Sequence, residues 1–146
     1  MSADTLTTYA ARIERARAGL QAALQGVLQG TMRDGEDVAR RLASSRFRAR
    51  GDMLSAIRGR VDGLEARLSG DTSRAPGVRL QEEGGIVRAR RGPWLTIPAS
   101  NGHGWVRVHQ VSIRPKWFIR DAMASVVPGF REAARLRVAE LVTRGQ

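Results

Sequence analysis

The chain has 146 residues, the size of one domain, and its 42% apolar and 27% charged residues are typical of a globular protein rather than a disordered one. It has 25 basic and 14 acidic side chains, a formal net charge of +11 at pH 7. The absence of cysteine excludes disulfides, thiolate metal sites and a cysteine nucleophile. No apolar run approaches the ~18 residues of a membrane helix, and the first ten residues lack the layout of a signal peptide, so we expect cytoplasmic synthesis and no membrane partner.

The net charge is concentrated in two stretches that contain no acidic residue. Residues 38–51 and 84–120 hold 12 of the 25 basic residues, and the rest of the chain is close to neutral. Such a field attracts polyanions or an acidic partner, although a merely solvated basic face has the same composition. The candidate contacts to DNA or to an acidic partner are Arg40, Arg41, Arg46, Arg48, Arg50, Arg88, Arg90 and Arg91.

The first predicted element is a long amphipathic helix. Apolar residues from Leu6 to Val27 recur at alternating steps of three and four, which gives one stripe along about six turns. Gly26, Gly30 and Gly35 weaken the pattern, so a second helix is predicted over residues 35–45. The stripe is long enough for a two-helix coiled coil, but we expect it to pack on the sheet of its own domain.

The middle of the chain predicts short strands joined by turns. A short helix is predicted over residues 51–57, followed by a hairpin whose turn is Asp62-Gly63; the glycines at 59 and 63 argue against a long helix here. Residues 70–77 are predicted to be a loop, and strands are predicted over 77–81, 85–90, 93–99 and 104–113. Strands 86–90 and 94–98 form a second hairpin in this prediction, with a basic tip at Arg91-Gly92.

The end of the chain returns to helix. Residues 117–126 predict one short helix, and Pro128 is suited to begin a last helix that runs to about residue 143. The order of elements predicts an α+β fold: N-terminal helices, a small antiparallel sheet of hairpins, and a C-terminal helix packed on the sheet. We expect a single domain, residues 1–146, with a helical part at 1–48, a sheet region at 51–114 and C-terminal helices at 115–146.

Few residues in the sequence indicate catalysis. His103 and His109 are too few for a zinc site, which needs at least three protein ligands. The adjacent carboxylates Glu82 and Glu83 would point to opposite faces of a strand, so we expect a solvated loop rather than an acid/base pair. No phosphate-binding loop or nucleophile motif occurs. We therefore expect no catalytic residue, no bound metal and no cofactor.

Three tryptophans lie inside the second basic stretch. Basic residues interleaved with aromatic ones are typical of surfaces that bind single-stranded nucleic acid. A small sheet also needs large side chains for its core, and we favour core packing for Trp94, Trp105 and Trp117 over base stacking.

Three segments of the sequence resemble proteins of tailed bacteriophages. The stretch 80–98, with Gly84-Gly85 and Leu95-Thr96-Ile97-Pro98, is similar to a stretch of the neck and tail-completion proteins, with Gln81 where a histidine is usual. The stretch 111–122 is similar to the entry of their C-terminal helix, and 51–57 loosely resembles a turn before their sheet. The resemblance covers about residues 35–145 and includes the head–tail joining and minor-tail Z-like families. Its motif residues are Gly84, Gly85, Leu95, Ile97, Pro98, Arg114, Pro115, Phe118 and Ala122.

The resemblance implies a virion structural protein of the neck or tail and no catalysis. It implies a homo-oligomeric ring at the head–tail junction or the upper end of the tail, with other head–tail or tail proteins as partners. The basic stretches would then face packaged DNA without base readout, or an acidic neighbouring ring. Two alternatives remain: a free-standing basic nucleic-acid-binding protein, and a small nuclease that would use Glu82, Glu83, His103 and His109.

Overall fold

One 45-residue helix, α1 (Ala3–Phe47), runs along the molecule for about 67 Å. The computed structural model describes residues 3–99 and 102–144. The prediction of two helices separated at the glycines is wrong, because all of these glycines lie inside α1. Gly35 is buried, and a Cβ on it would lie 3.6 Å from Leu68 and 3.7 Å from Val126. Tertiary packing on both sides thus outweighs the weak helix propensity of glycine.

The hydrophobic core is formed around the second half of α1. The fully buried residues Ala39 and Ala43 lie on α1, and they pack with Ile57, Phe118 and Ala122 from later elements. The predicted packing of the whole N-terminal stripe on the sheet is therefore wrong, since Leu6, Tyr9 and Ile13 are exposed. Only α1 beyond about residue 28 is buried in the core, and the first turns extend past it.

A local hairpin packs on this half of α1. After the short helix α2 (Asp52–Ser55), strands β1 (Ile57–Asp62) and β2 (Glu65–Gly70) pair antiparallel, which confirms the predicted helix and hairpin. The turn is Gly63-Leu64, one residue later than the predicted Asp62-Gly63, because Asp62 still pairs with Glu65. Gly59 of β1 lies against α1, where a Cβ would be 2.8 Å from the Cβ of Met32. A residue with a side chain would push β1 away from the helix.

Residues 77–81 are helical rather than extended. They belong to α3 (Gly77–Glu83), so the prediction of a strand here is wrong. The alternation of Val78 and Leu80 indicated a strand, but the residues around them are good helix formers, and one turn of helix suffices to bury Val78 against Gly70.

The remaining four strands form one long, nested hairpin, called the arm below (residues 85–113). Strand β3 (Gly85–Arg88) pairs with β6 (Gln110–Ile113), and β4 (Leu95–Pro98) pairs with β5 (Trp105–Val108), all antiparallel. The predicted hairpin of 86–90 with 94–98 is wrong. Six residues separate β3 from β4 while only His109 separates β5 from β6, so the predicted basic tip at Arg91-Gly92 is a bulged link halfway along the arm.

The chain ends in a second long helix, α4 (Phe118–Arg144), which runs antiparallel to α1 and also contacts β2. The prediction of two helices here is wrong, because Pro128 lies inside α4. Proline removes one main-chain hydrogen bond, and the packing of α4 on α1 on both sides of this position keeps the helix continuous. The fold is α+β as predicted: a long N-terminal helix, small antiparallel hairpin sheets and a packed C-terminal helix.

Candidate functional site

The root of the arm is held rigidly by the ends of α3 and α4. The backbone N–H of Lys116 donates to the Gln81 carbonyl at 2.8 Å, and that of Trp117 donates to the Glu82 carbonyl at 3.3 Å. Gly84 has a φ of 75°, and a Cβ on it would lie 2.8 Å from the Ile113 carbonyl oxygen. Only glycine therefore allows β3 to start this close to the end of β6.

Glu82 caps α4 across the root of the arm. Its two carboxylate oxygens accept the backbone N–H groups of Ile119 and Arg120, each at 2.9 Å. Helix N-termini carry unsatisfied N–H groups and a positive partial charge, so a carboxylate there is stabilising. The expectation of a solvated loop is wrong, because both carboxylates lie on α3. Glu83 pairs at the surface with Arg79 at 2.8 Å.

The outer part of the arm presents an aromatic and cationic face. In the β4–β5 ladder Thr96 lies opposite Arg107 and Pro98 opposite Trp105, and these two pairs share one face. Just beyond the ladder, which ends at the Leu95–Val108 pair, the rings of Trp94 and His109 stack with centroids 4.0 Å apart. The His109 ring is fixed further by a contact of 3.1 Å between Nδ1 and the Pro93 carbonyl. We call these six residues the aromatic face.

The opposite side of the outer arm is apolar. It consists of Leu95, Ile97, Val106 and Val108, which we call the apolar face. Val106 is 41% exposed, and the other three are half-buried. Within the described part of the chain, the main contacts of β4 and β5 are with each other, and no helix lies over them as α1 lies over β1.

The expectation that the tryptophans form the core is wrong for all three. Trp105 is 71% exposed and Trp94 is 47% exposed, because a hairpin of two strands has no second layer to bury them. Trp117 is half-buried beside the root of the arm, and the Arg120 guanidinium lies 4.3 Å from its ring centroid. Sequence spacing gave no signal that the tip of the arm would stand alone.

The arginines of the arm keep their charge available to a ligand. Arg88 donates through Nε to the Gln110 side chain at 3.2 Å, which leaves the rest of its guanidinium open. Arg90, Arg91 and Arg107 are exposed and pair with no carboxylate among the described residues. The arm itself contains no acidic residue.

Two arginines of the first basic stretch have structural roles instead. Arg40 donates to the carbonyls of Leu54 and Ile57, at 3.3 and 3.1 Å, and pairs with Glu36. Glu36 in turn accepts the backbone N–H of Gly59 at 2.6 Å, so the pair fastens β1 to α1. Arg40 is therefore no candidate for a partner contact.

Arg46 ties the end of α1 to the start of α4. It donates to the Lys116 carbonyl and to Asp121 Oδ2, the latter at 2.7 Å. This hydrogen bond holds the pKa of Asp121 below its usual value. Of the remaining candidates in this stretch, Arg41, Arg48 and Arg50 are exposed. The stretch therefore lies beside the root of the arm, not at its tip.

The motif residues of the phage resemblance divide into three groups: the core, the root of the arm, and the arm with the residues after it. Phe118 and Ala122 are fully buried, and the Phe118 ring lies 5.2 Å from that of Phe47. Gly85 belongs to the root of the arm, where a Cβ on it would lie 2.9 Å from Leu80 Cδ1. The rest follow the arm: Leu95 and Ile97 on the apolar face, Pro98 at the end of β4, and Arg114 and Pro115 exposed after β6.

A groove lies between α4 and the middle of α1. It has a volume of about 790 Å³, and small residues line it, among them Gly26, Gly30 and Gly129. Beyond the groove both helices present exposed apolar side chains, which we call the open end: Leu6, Tyr9 and Ile13 of α1 and Leu136, Val138, Leu141 and Val142 of α4.

Within residues 3–99 and 102–144, no group of three or more histidine, aspartate or glutamate residues could hold a metal ion. None of the described helices combines the length and the apolar character needed to cross a membrane. Comparisons with family models, with curated proteins and with solved structures found no match to this chain.

Proposed function

We propose that this protein is a structural subunit of a tailed phage or phage-like particle, which acts in head–tail joining or tail completion. In this proposal it forms a homo-oligomeric ring in the neck or tail of the virion and contacts other head–tail or tail proteins. It works by assembly around the DNA path, with no bond made or broken. The motif resemblance at 51–57, 80–98 and 111–122 supports a role in a phage-like particle. The exposed apolar surfaces of the molecule support a role in assembly.

The observation that carries the proposal is the apolar face of the arm. A two-stranded hairpin alone is marginally stable in water, and a third strand or a packed layer is needed to stabilise it. Among the described residues β4 and β5 mainly contact each other, and Val106 on this face is 41% exposed. A neighbouring subunit would supply the stabilising layer by packing on this face or by adding a strand to the edge of the arm.

The open end offers a second contact surface at the other end of the molecule. Its exposed apolar residues lie on the first turns of α1 and on the last turns of α4. Two different exposed apolar surfaces on one subunit favour head-to-tail contacts. Such contacts form a closed ring when the rotation between neighbouring subunits adds up to a full turn. A ring multiplies the +11 charge of each subunit around one axis, and this field suits a DNA path.

Substitutions on the two faces of the arm test this proposal. Val106→Asp places a charge on the apolar face, and Thr96→Asp places the same charge on the aromatic face. We expect the wild-type protein and Thr96→Asp to form a defined oligomer and Val106→Asp to be a folded monomer. Light scattering after size exclusion gives the mass, and circular dichroism checks that each variant is folded. A monomeric wild type at ~100 μM, alone and with particle extract, contradicts the proposal.

The second candidate is a free-standing nucleic-acid-binding protein, which the acid-free arm favours. Neutralisation of phosphates by arginines gives binding that falls steeply with salt. This candidate predicts tight DNA binding by the monomer, lost when Arg88, Arg90 and Arg91 are replaced together by glutamate. The ring proposal predicts weak binding of duplex DNA by the isolated chain, and failure of particle assembly or DNA delivery in the same triple variant.

A further inference from the structure

We propose that the aromatic face of the arm binds single-stranded nucleic acid, with bases stacked on Trp105 and on the Trp94–His109 pair and a phosphate bound by Arg107. This inference goes beyond assembly and does not rest on it, because a monomer and a ring subunit present the same face. It concerns residues that the sequence prediction assigned to the core.

The geometry provides two aromatic platforms with a cation between them. The Thr96–Arg107 pair shares one face of the ladder with Trp105, and along the strands it lies between Trp105 and the Trp94–His109 stack. Trp105 and His109 are four positions apart, a span of about 13 Å at roughly 3.3 Å per residue. Single-stranded nucleic acid alternates flat bases and anionic phosphates. The two aromatic platforms can each stack on a base, and the guanidinium between them can bind a phosphate.

The rings are accessible for stacking. Trp105 is 71% exposed, and no aromatic ring contact occupies it among the described residues. His109 covers one side of Trp94, and Trp94 still remains 47% exposed. The stacked histidine orients the indole before a ligand arrives, which lowers the entropy cost of binding.

Charge selects a polyanion over an apolar partner for this face. Arg88, Arg90, Arg91 and Arg107 all lie on the arm, and no carboxylate lies on it. A protein partner would have to bring a matching set of carboxylates, whereas every nucleotide carries a phosphate. An aromatic side chain can stack on a base only when that base is unpaired or unstacked, which favours a single strand over a duplex.

The test uses the full-length chain and a fluorescently labelled 20-nucleotide oligothymidine, with a duplex of equal length as comparison. Fluorescence anisotropy at several salt concentrations gives the affinity and its salt slope. We expect Trp105→Ala to weaken single-strand binding by about 5- to 150-fold, the range typical for the loss of one stacked base. Trp105→Phe keeps a ring and should restore most of the affinity, and Arg107→Gln should reduce the salt slope by about one.

Trp117→Ala is the matched control, because it removes a tryptophan that lies outside the arm, and it should leave the affinity unchanged. The proposal is overturned if Trp105→Ala binds the oligonucleotide as the wild type does, or if the duplex binds as tightly as the single strand. It is also overturned if Trp105→Ala alters only the mass of the oligomer, since the face is then a contact between copies. The Val106→Asp variant reports on assembly separately, so the two proposals can fail independently.

Discussion

Arg40 and Arg41 are neighbours with identical chemistry, yet α1 places them in different surroundings. Arg40 is part of the connection between α1 and β1, with acceptors at Glu36, Leu54 and Ile57. Arg41 points to solvent. A basic stretch in a sequence is thus not a uniform surface. Whether an arginine has a structural role or is open to a partner depends on what it contacts.

We expect Arg40→Ala to lower the free energy of unfolding by about 1.5–3 kcal/mol, because it leaves half-buried acceptors without a donor. Arg41→Ala should change it by no more than about 0.5 kcal/mol, since an exposed side chain without partners contributes little. Urea unfolding followed by circular dichroism measures both variants. Equal effects of the two substitutions would refute the structural role assigned to Arg40.

The role of Arg40 could not be predicted from the sequence. Its pairing with Glu36 follows from the helical spacing of four residues. The carbonyls of Leu54 and Ile57 are 14 and 17 positions away, and no periodicity reports such contacts. The same limit applies to Glu82, whose partners at 119 and 120 are 37 and 38 positions away.

At the scale of elements, the strands that pair across a short connection were predicted better than those that pair across a long one. The β1–β2 hairpin is closed by the two-residue turn Gly63-Leu64, and the Asp-Gly signal predicted the hairpin with its turn one residue too early. In the arm β4 pairs with β5, and β3 and β6 pair outside them. Strands close in sequence, 86–90 and 94–98, therefore looked like partners although each pairs with a strand further along the chain.

The helix boundaries were predicted less well than the β1–β2 hairpin. Gly35 and Pro128 were each predicted to begin a helix, and both lie within one. Local propensity is a weak signal when two long helices pack on each other. The overall order of helix, hairpins and helix was still predictable, because the apolar periodicities of the segments differ.

Glu82 is the element-scale contact that fixes α4 to α3 and to the root of the arm. We expect Glu82→Ala to lower the free energy of unfolding by about 1 kcal/mol, as the loss of a helix cap does, and so to lower Tm by roughly 2–4 °C. Glu83→Ala removes only a surface pair with Arg79 and should change Tm by less than that. Thermal unfolding followed by calorimetry compares them, and a larger effect of Glu83→Ala would contradict the assignment of the cap.

The whole molecule separates its stable part from its interaction surfaces. The buried core lies around residues 28–78 and the start of α4, while the arm and the open end extend from it in different places. Their exposed apolar residues contribute little to the stability of the monomer. Substitutions on these surfaces should therefore leave the chain folded. Assembly can then be detected as a dependence of Tm on protein concentration.

If subunits associate through the open end, association stabilises the folded state by mass action and Tm rises with protein concentration. We expect a rise of several degrees between about 1 and 100 μM for the wild type, measured by scanning calorimetry and fluorescence. Replacing Tyr9 and Ile13 by glutamine should remove this rise and leave the Tm at 1 μM nearly unchanged, because both side chains are at least half exposed, at 64% and 50%. Arg12→Gln, an exposed substitution in the same turns, should keep the concentration dependence. If the Tyr9 and Ile13 double variant kept the concentration dependence of the wild type, the open end would make no contact between copies, and assembly would depend on the arm alone.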